Sequence, residues 1–294
     1  MKIYLDNRIV PEQDAVVSVL DHGLLYGDGI YETMRAYNGI VFMAKEHLLR
    51  FERSASLIQL KLPKTLARIE AAINETMDAN ALRNAYVRLS LTRGKGPIGL
   101  DPDLCKEPKM IIIATDFKDY PESFYSDGVK IMISSVRRNH RQALDPRIKS
   151  LNFLNNILAK IDSKNSDAYE ALMLNTDGFL AEGTVSNIFF MSDNLLCTPS
   201  VDCGILDGIT RRLVIDLAEQ SGIKTKEGNF LPEDLLSADE AFITNTTMEV
   251  MPVSLVGEIK FRSGPVAKKL LKAYRNEVKN YINNRPGENI SLWK

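Results

Sequence analysis

The apolar residues of this chain recur with two periods, and the points where one gives way to the other outline its elements. Residues 2–10 mix β-branched and aromatic side chains with polar ones before Pro11, which predicts a strand followed by a turn. Residues 30–37 predict a second strand, and Asn38-Gly39 is a two-residue hairpin signal that returns the chain into Ile40, Val41 and Phe42. Within residues 44–60, Leu48, Phe51, Ala55 and Ile58 recur at helical spacing until Pro63 closes the stretch. A second helix is predicted over residues 66–79, with Leu66, Ile69, Ile73 and Met77 on one face. Residues 85–92 and 110–115 return to strand composition.

Residues 116–127 are polar and aromatic, are interrupted by Pro121 and follow neither period, so they predict a link between domains. The expected organisation is a smaller N-terminal domain at 1–116, a linker at 117–127 and a larger domain at 128–294. In the second domain, residues 129–136, 170–174, 187–191 and 240–244 predict strands. Leu154, Ile157, Leu158 and Ile161 predict a helix, as do residues 210–221, stopped by Gly222, and residues 266–282. Strands and helices mix without strict βαβ alternation, so the fold class is α+β. The chain contains no internal repeat and no low-complexity segment.

Composition narrows the function. Nearly half the residues are apolar, enough for a substantial core, while 37 basic and 38 acidic residues almost cancel without a long run of either sign. That balance argues against a nucleic-acid or anionic-membrane surface and for small-molecule partners. Cys105, Cys197 and Cys203 are odd in number and form no C-x-x-C pair, as expected of reduced thiols. No charged-then-apolar leader opens the sequence, and no apolar run reaches the roughly 20 residues of a membrane helix, so the expected location is the cytoplasm. The spacing of His22, His47 and His140 places no two of them on one helical face, and no metal site is expected.

Two segments carry candidate chemistry. Lys149 lies in Asp145-Pro-Arg-Ile-Lys-Ser-Leu-Asn-Phe-Leu-Asn-Asn156, and Glu182 in Ala181-Glu-Gly-Thr-Val-Ser-Asn-Ile-Phe-Phe190. Each has small or apolar neighbours. A sheltered amine has a lowered pKa and forms a Schiff base with an aldehyde. A carboxylate facing a pyridine nitrogen keeps that nitrogen protonated and makes the ring an electron sink. Taken alone, each is a surface charge; taken together, they are the two ends of a pyridoxal phosphate site.

These segments resemble the class IV, fold-type IV pyridoxal-phosphate enzymes: branched-chain aminotransferases, D-amino-acid aminotransferases and aminodeoxychorismate lyases. The likeness runs from Tyr4-Leu-Asp to Gly264-Pro-Val-Ala-Lys-Lys-Leu. It implies two α/β domains with pyridoxal 5'-phosphate at their interface, and a homodimer in which loops of one subunit complete the other's site. It also implies that Lys149 holds the cofactor and moves the substrate proton, and that Glu182 faces the ring nitrogen. The phosphate contacts it implies are Ile209 and Thr210 at a helix start, Arg50 and Thr246. Alone, Gly208-Ile-Thr is a helix cap and Arg50 a helix-surface charge; their value lies in occurring together. Phe153 stands where many branched-chain enzymes carry a tyrosine that reaches the cofactor's phenolic oxygen, and it cannot donate that bond.

Tyr26 and Arg35, in a second family-like stretch over residues 21–35, are expected to line the substrate pocket, with Thr247 beside them. Tyr86 and Arg88 in Ala85-Tyr-Val-Arg88 resemble the branched-chain residues beside the substrate carboxylate. Gly94-Lys-Gly-Pro-Ile-Gly99 matches the dinucleotide pattern G-x-G-x-x-G, but Pro97 and Leu100-Asp-Pro-Asp oppose the helix that pattern requires. The resemblance makes this loop a substrate gate; a plain surface turn is an equal reading. The loop lacks the Arg-x-His pair usual in D-amino-acid aminotransferases. By contrast, Thr33 and Thr244-Asn-Thr-Thr-Met-Glu249 look more like the lyases. The expected activity is transamination of branched-chain L-amino acids with 2-oxoglutarate. The lyase and the D-amino-acid enzyme are alternatives, and a non-catalytic nucleotide-binding module is a remote one.

Overall fold

The computed structural model describes residues 1–261 and 264–284. Its contacts group the chain into two compact units, one of Met1–Lys118 with Ile148–Phe153 and the chain from Val278, the other of Asp119–Arg147 with Leu154–Glu277. Among the described residues, no helix is long and apolar enough to cross a membrane.

The first unit contains β1 (Lys2–Leu5), β2 (Arg8–Pro11), α1 (His22–Tyr26), β3 (Gly29–Tyr37), β4 (Ile40–Val41), α2 (Ala44–Leu57), α3 (Leu66–Ala79), β5 (Ala85–Thr92) and β6 (Lys109–Asp116). Its six strands pair antiparallel in the order β2-β1-β6-β5-β3-β4. Alternation along β3 sends Ile30, Met34 and Ala36 into a core shared with Leu48 and Phe51 of α2 and Ile69 and Ile73 of α3. Full burial of one such side chain contributes about 1.5–3 kcal/mol. Tyr31, Thr33, Arg35 and Tyr37 therefore occupy the opposite face. Residues 148–153 run beside β3: Tyr31 N–H donates to the Lys149 carbonyl and Leu151 N–H to that of Gly29, both at 2.9 Å.

The second unit contains α4 (Glu122–Ser126), β7 (Val129–Ile133), α5 (Leu154–Asn165), β8 (Glu170–Leu174), β9 (Leu180–Gly183), β10 (Asn187–Ser192), β11 (Leu195–Pro199), α6 (Ile209–Gln220), β12 (Thr225–Gly228), α7 (Pro232–Leu236), β13 (Glu240–Asn245), β14 (Glu249–Val256) and β15 (Ile259–Lys260). The last helix, α8 (Pro265–Asn283), continues past Val278. The sheet runs β12-β11-β10-β13-β14-β7-β8-β9, with β15 on β14, and mixes parallel and antiparallel pairs. Nearly every residue of β8, β10 and β13 is buried, the pattern of strands covered on both faces.

Three features differ from the periodicity reading. The predicted strand over residues 2–10 is a hairpin, because Asp6 and Asn7 both take positive φ (47° and 86°) and turn the chain as Asn38 and Gly39 do. The predicted link over 116–127 contains α4. Helix α5 forms, but Leu154, Ile157, Leu158 and Ile161 are 46–62% exposed in the single chain; Asn156, Ala159 and Ser163 are its buried residues, and Ala159 packs with Ala171 and Met173 of β8.

Candidate active site

Each unit gathers its own set of polar groups. In the first, His47, Arg50 and Ser54 follow at intervals of three and four along the buried side of α2. Glu32, the one charged residue among the helix-facing positions of β3, meets them. Its carboxylate accepts Arg50 Nε–H at 2.7 Å and Arg50 Nη2–H at 2.9 Å, and His47 Nδ1 lies 2.8 Å from Oε2. Burial works to raise the Glu32 carboxyl, but the Arg50 guanidinium and His47 overcome it and hold the group well below the usual carboxylate range. Burial lowers His47 against the pull of Glu32, so its imidazole is biased to the neutral form.

Ser54 ties this helix to the candidate amine: the Lys149 amide donates to Ser54 Oγ at 3.2 Å. The lysine Nζ stands 4.5 Å from the centroid of the Tyr31 ring, and the Arg88 guanidinium lies 4.1 Å from the same centroid. Arg35 is held by the rings of Tyr37 at 4.3 Å and Phe117 at 3.9 Å. Such contacts stabilise a cation by about 0.5–2 kcal/mol. Strand register places Tyr86 opposite Arg35 and Arg88 opposite Thr33. Burial raises the Tyr31 hydroxyl far above its ordinary range, against the pull of Arg88, so it remains a neutral phenol. Phe153 meets the Tyr31 ring edge-on at 5.3 Å. Lys149 and Arg88 thus share the Tyr31 ring, Arg35 and its register partner Tyr86 lie further along the same face, and Arg50 stands one helix turn from the serine that holds Lys149.

Tyr26 stands elsewhere in this unit. Its hydroxyl accepts the Gly99 N–H at 3.1 Å, while its neighbour His22 places Nε2 2.9 Å from the Pro97 carbonyl oxygen. Both brace the glycine loop. That loop leads only to a 3₁₀ turn at Pro102–Leu104, so the dinucleotide pattern lacks the helix it needs.

In the second unit, Glu182 on β9 is buried. Its Oε1 accepts Arg138 Nε–H at 2.7 Å and its Oε2 the Leu206 N–H at 2.9 Å; Arg138 also donates to Asn155 Oδ1 at 3.1 Å. A carboxylate offers about four lone-pair sites, which leaves capacity for a further donor. Gly208 caps α6 without a side-chain bond, and a Cβ there would lie 2.1 Å from Asn187 Oδ1. The first-turn N–H groups of a helix, here those of Ile209 and Thr210 among them, have no intrahelical acceptor and can meet an anion. Thr246 and Thr247 form the turn between β13 and β14. Asn245 Oδ1 accepts from the Thr247 amide at 2.9 Å, the Thr247 hydroxyl at 3.0 Å and the Met248 amide at 2.8 Å, while its Nδ2 donates to Val185 O at 3.1 Å.

Sequence reasoning missed the residues that hold these groups. The buried Glu170 carboxylate accepts the Thr184 amide (3.1 Å), the Thr184 hydroxyl (2.5 Å), the Val185 amide (3.3 Å) and the Ser186 hydroxyl (2.9 Å), organising the loop after Glu182. Glu32, His47, Arg138 and Asn245 act in the same way. The available signal was an acidic residue on an otherwise apolar strand face, as at Glu32, or in an otherwise apolar strand, as at Glu170. The donor set fits a pyridine aldehyde phosphate: an amine, a buried carboxylate with spare lone pairs, and an uncapped helix start.

The amino-transferase class IV family model matches residues 29–256. A Methanocaldococcus jannaschii protein, provisionally assigned as a branched-chain-amino-acid aminotransferase, is 44% identical over 279 residues, spanning 94% of this chain and 96% of its own. The aminodeoxychorismate lyase of Bacillus subtilis is 34% identical over 289 residues, spanning 97% of each. Among solved structures, the branched-chain aminotransferase of Thermoproteus uzoniensis, determined with norvaline, is similar with a TM-score of 0.91 and 34% identity, over 97% of this chain and 96% of that one.

Proposed function

The chain belongs to the class IV aminotransferases, which are pyridoxal-phosphate enzymes of fold type IV, and from that premise we propose that it transfers the amino group of branched-chain L-amino acids to 2-oxoglutarate. The observation that carries this reading is the Tyr31 ring, which Arg88 and Lys149 both approach, with Arg35 further along the same strand face between the rings of Tyr37 and Phe117. Aromatic surface suits an apolar side chain and guanidinium groups suit carboxylates, and one substrate of this pair needs the first while both need the second. The likeness to branched-chain relatives supports the same reading.

When bound, the cofactor supplies an aldehyde for amine exchange and a ring that absorbs the electrons released at the substrate α-carbon. The roles that follow are those of the chain's own residues. Lys149 Nζ anchors the cofactor and carries the proton to and from the α-carbon. Glu182, kept in place by Arg138 and the Leu206 amide, accepts the ring N–H and keeps that nitrogen protonated. Ile209 and Thr210 direct N–H groups to the phosphate, assisted by Arg50 and Thr246. Tyr86, Arg88 and Thr247 orient the substrate carboxylate, and Arg35 adds positive charge for an acidic substrate.

Tyr26, braced against the glycine loop, belongs in this reading to the site of a second copy in a homodimer, in the cytoplasm. The exposed Ile98 and Leu100 of that loop and the exposed stripe of α5 support association of two copies. The lyase is the second reading. Thr33, opposite Arg88 in register, and the likeness to the Bacillus subtilis lyase favour it.

The test is the visible absorption of the cofactor-loaded protein as L-leucine, D-alanine and aminodeoxychorismate are added separately. Loss of the band with L-leucine and its return with 2-oxoglutarate are expected. A response to D-alanine alone, or pyruvate release from aminodeoxychorismate, overturns the branched-chain assignment in favour of the corresponding relative.

A further inference from the structure

The chemistry proposed above uses the buried cluster of Glu32, His47 and Arg50 only through Arg50, yet the cluster sits where charge is expensive. All three residues are at most 4% exposed, on the side of β3 and α2 where Ile30, Met34, Leu48 and Phe51 form the core. Replacing a buried ion pair by apolar residues of similar volume is often neutral or stabilising. Stability of the fold therefore gives little reason for a carboxylate at position 32. Orientation of a guanidinium gives a better one. Glu32 engages the Nε and Nη2 edge of Arg50 with both oxygens, the bidentate geometry that fixes the plane of the group and turns its other donors to the far edge. His47 in turn fixes Glu32, because its Nδ1 lies 2.8 Å from the oxygen that also accepts Arg50 Nη2–H. The same helix face continues to Ser54, which accepts the Lys149 amide. One helix thus carries a locked arginine and holds the backbone of the cofactor-bearing lysine.

We propose that Glu32, itself held by His47, is a positioning residue that locks the Arg50 guanidinium in the orientation in which it meets the cofactor phosphate. The proposal rests on the assignment of Arg50 as a phosphate contact. It has a specific consequence: loosening the lock weakens recognition of the phosphate and leaves recognition of the pyridine aldehyde intact.

The experiment measures the affinity of the full-length apoprotein for pyridoxal 5'-phosphate and for pyridoxal, which lacks the phosphate, by absorbance titration. Glu32→Gln is expected to weaken binding of the phosphorylated ligand about ten-fold and His47→Gln about three-fold, with pyridoxal affinity unchanged in both. Equal losses for both ligands would show a merely structural cluster and overturn the proposal. So would tighter phosphate binding in Glu32→Gln, the result expected if the carboxylate only screens the charge of Arg50. If Glu32→Gln does not fold, His47→Gln decides alone, since it leaves the Glu32–Arg50 pair in place. Arg50→Gln separates the premise from the proposal. If it leaves the ratio of the two affinities unchanged, Arg50 is no phosphate contact and the premise fails. If it collapses the ratio while the Glu32 and His47 variants do not, the premise stands and the positioning role is wrong.

Discussion

In the unit of the six-stranded sheet, polar groups are presented by side chains: Arg50 on the buried side of α2, held by Glu32 and His47, and cations beside rings, with Lys149 and Arg88 at Tyr31 and Arg35 between Tyr37 and Phe117. In the nine-stranded sheet they are presented largely by backbone, at the start of α6 and in the loops after β9 and β13, and buried Glu170 and Asn187 and half-buried Asn245 hold that backbone in shape. The contrast separates two ways of building a site. Side-chain cations on a strand obey alternation and are replaced one at a time. A backbone cradle depends on close approach, so it is damaged by adding atoms more than by removing them.

The largest expected effect tests the side-chain half. Lys149→Ala should abolish transamination and the visible band of the loaded protein together, because in the proposed reading Lys149 supplies the amine; a surviving band would show that Lys149 is not the anchor. Next comes the backbone half. Gly208→Ala forces a Cβ against Asn187 Oδ1 and is expected to weaken cofactor binding about ten-fold, given the 1–3 kcal/mol typical of overpacking, whereas Thr210→Ala, which only removes atoms, should weaken it less. The reverse order in a binding titration would break the distinction between the two halves.

A smaller effect concerns pH. His47 has a folded pKa depressed below its unfolded value, so its contribution to stability is present above about pH 6.5 and is lost as pH falls toward the folded value. Glu32, Arg50 and Lys149 all act on it. Thermal melts of the wild type should therefore show stability declining below pH 6.5, by at most about 1.4 kcal/mol per pH unit from this group, and the decline should be shallower in His47→Gln. Parallel curves would exclude His47 as the source. The smallest effect lies at a turn: Asn194 has φ +61°, and Asn194→Gly should change stability by no more than about 0.5 kcal/mol, since asparagine already tolerates that conformation.

That turn also explains what the sequence concealed. Asn38-Gly39, Asp6-Asn7 and Asp193-Asn194 all make two-residue turns with positive φ at both positions. Only the first contains glycine, and only the first was legible; β2 and the β10–β11 hairpin went unseen because asparagine and aspartate enter the left-handed region without advertising it. Helix α3 and strand β5 coincide with the residues predicted, because each has one strongly apolar face and a clear boundary. In α5 the same reasoning found the helix without its packing face: small residues meet the sheet, and the apolar stripe is exposed.

The sequence by itself determined the elements whose side chains alternate or recur against a core, and it set an amine at Lys149 and a carboxylate at Glu182 among small or apolar neighbours, because periodicity and neighbourhood along the chain are local properties. Tertiary structure alone decided which groups hold the others: Glu32 on Arg50 across 18 residues, Glu170 on Thr184 across 14, and Arg138 on Glu182 across 44. Those pairings arise from strand register and from how helices lie on a sheet. They bury charge at a cost that only a specific partner at hydrogen-bond distance offsets, and no local pattern in the chain encodes that distance.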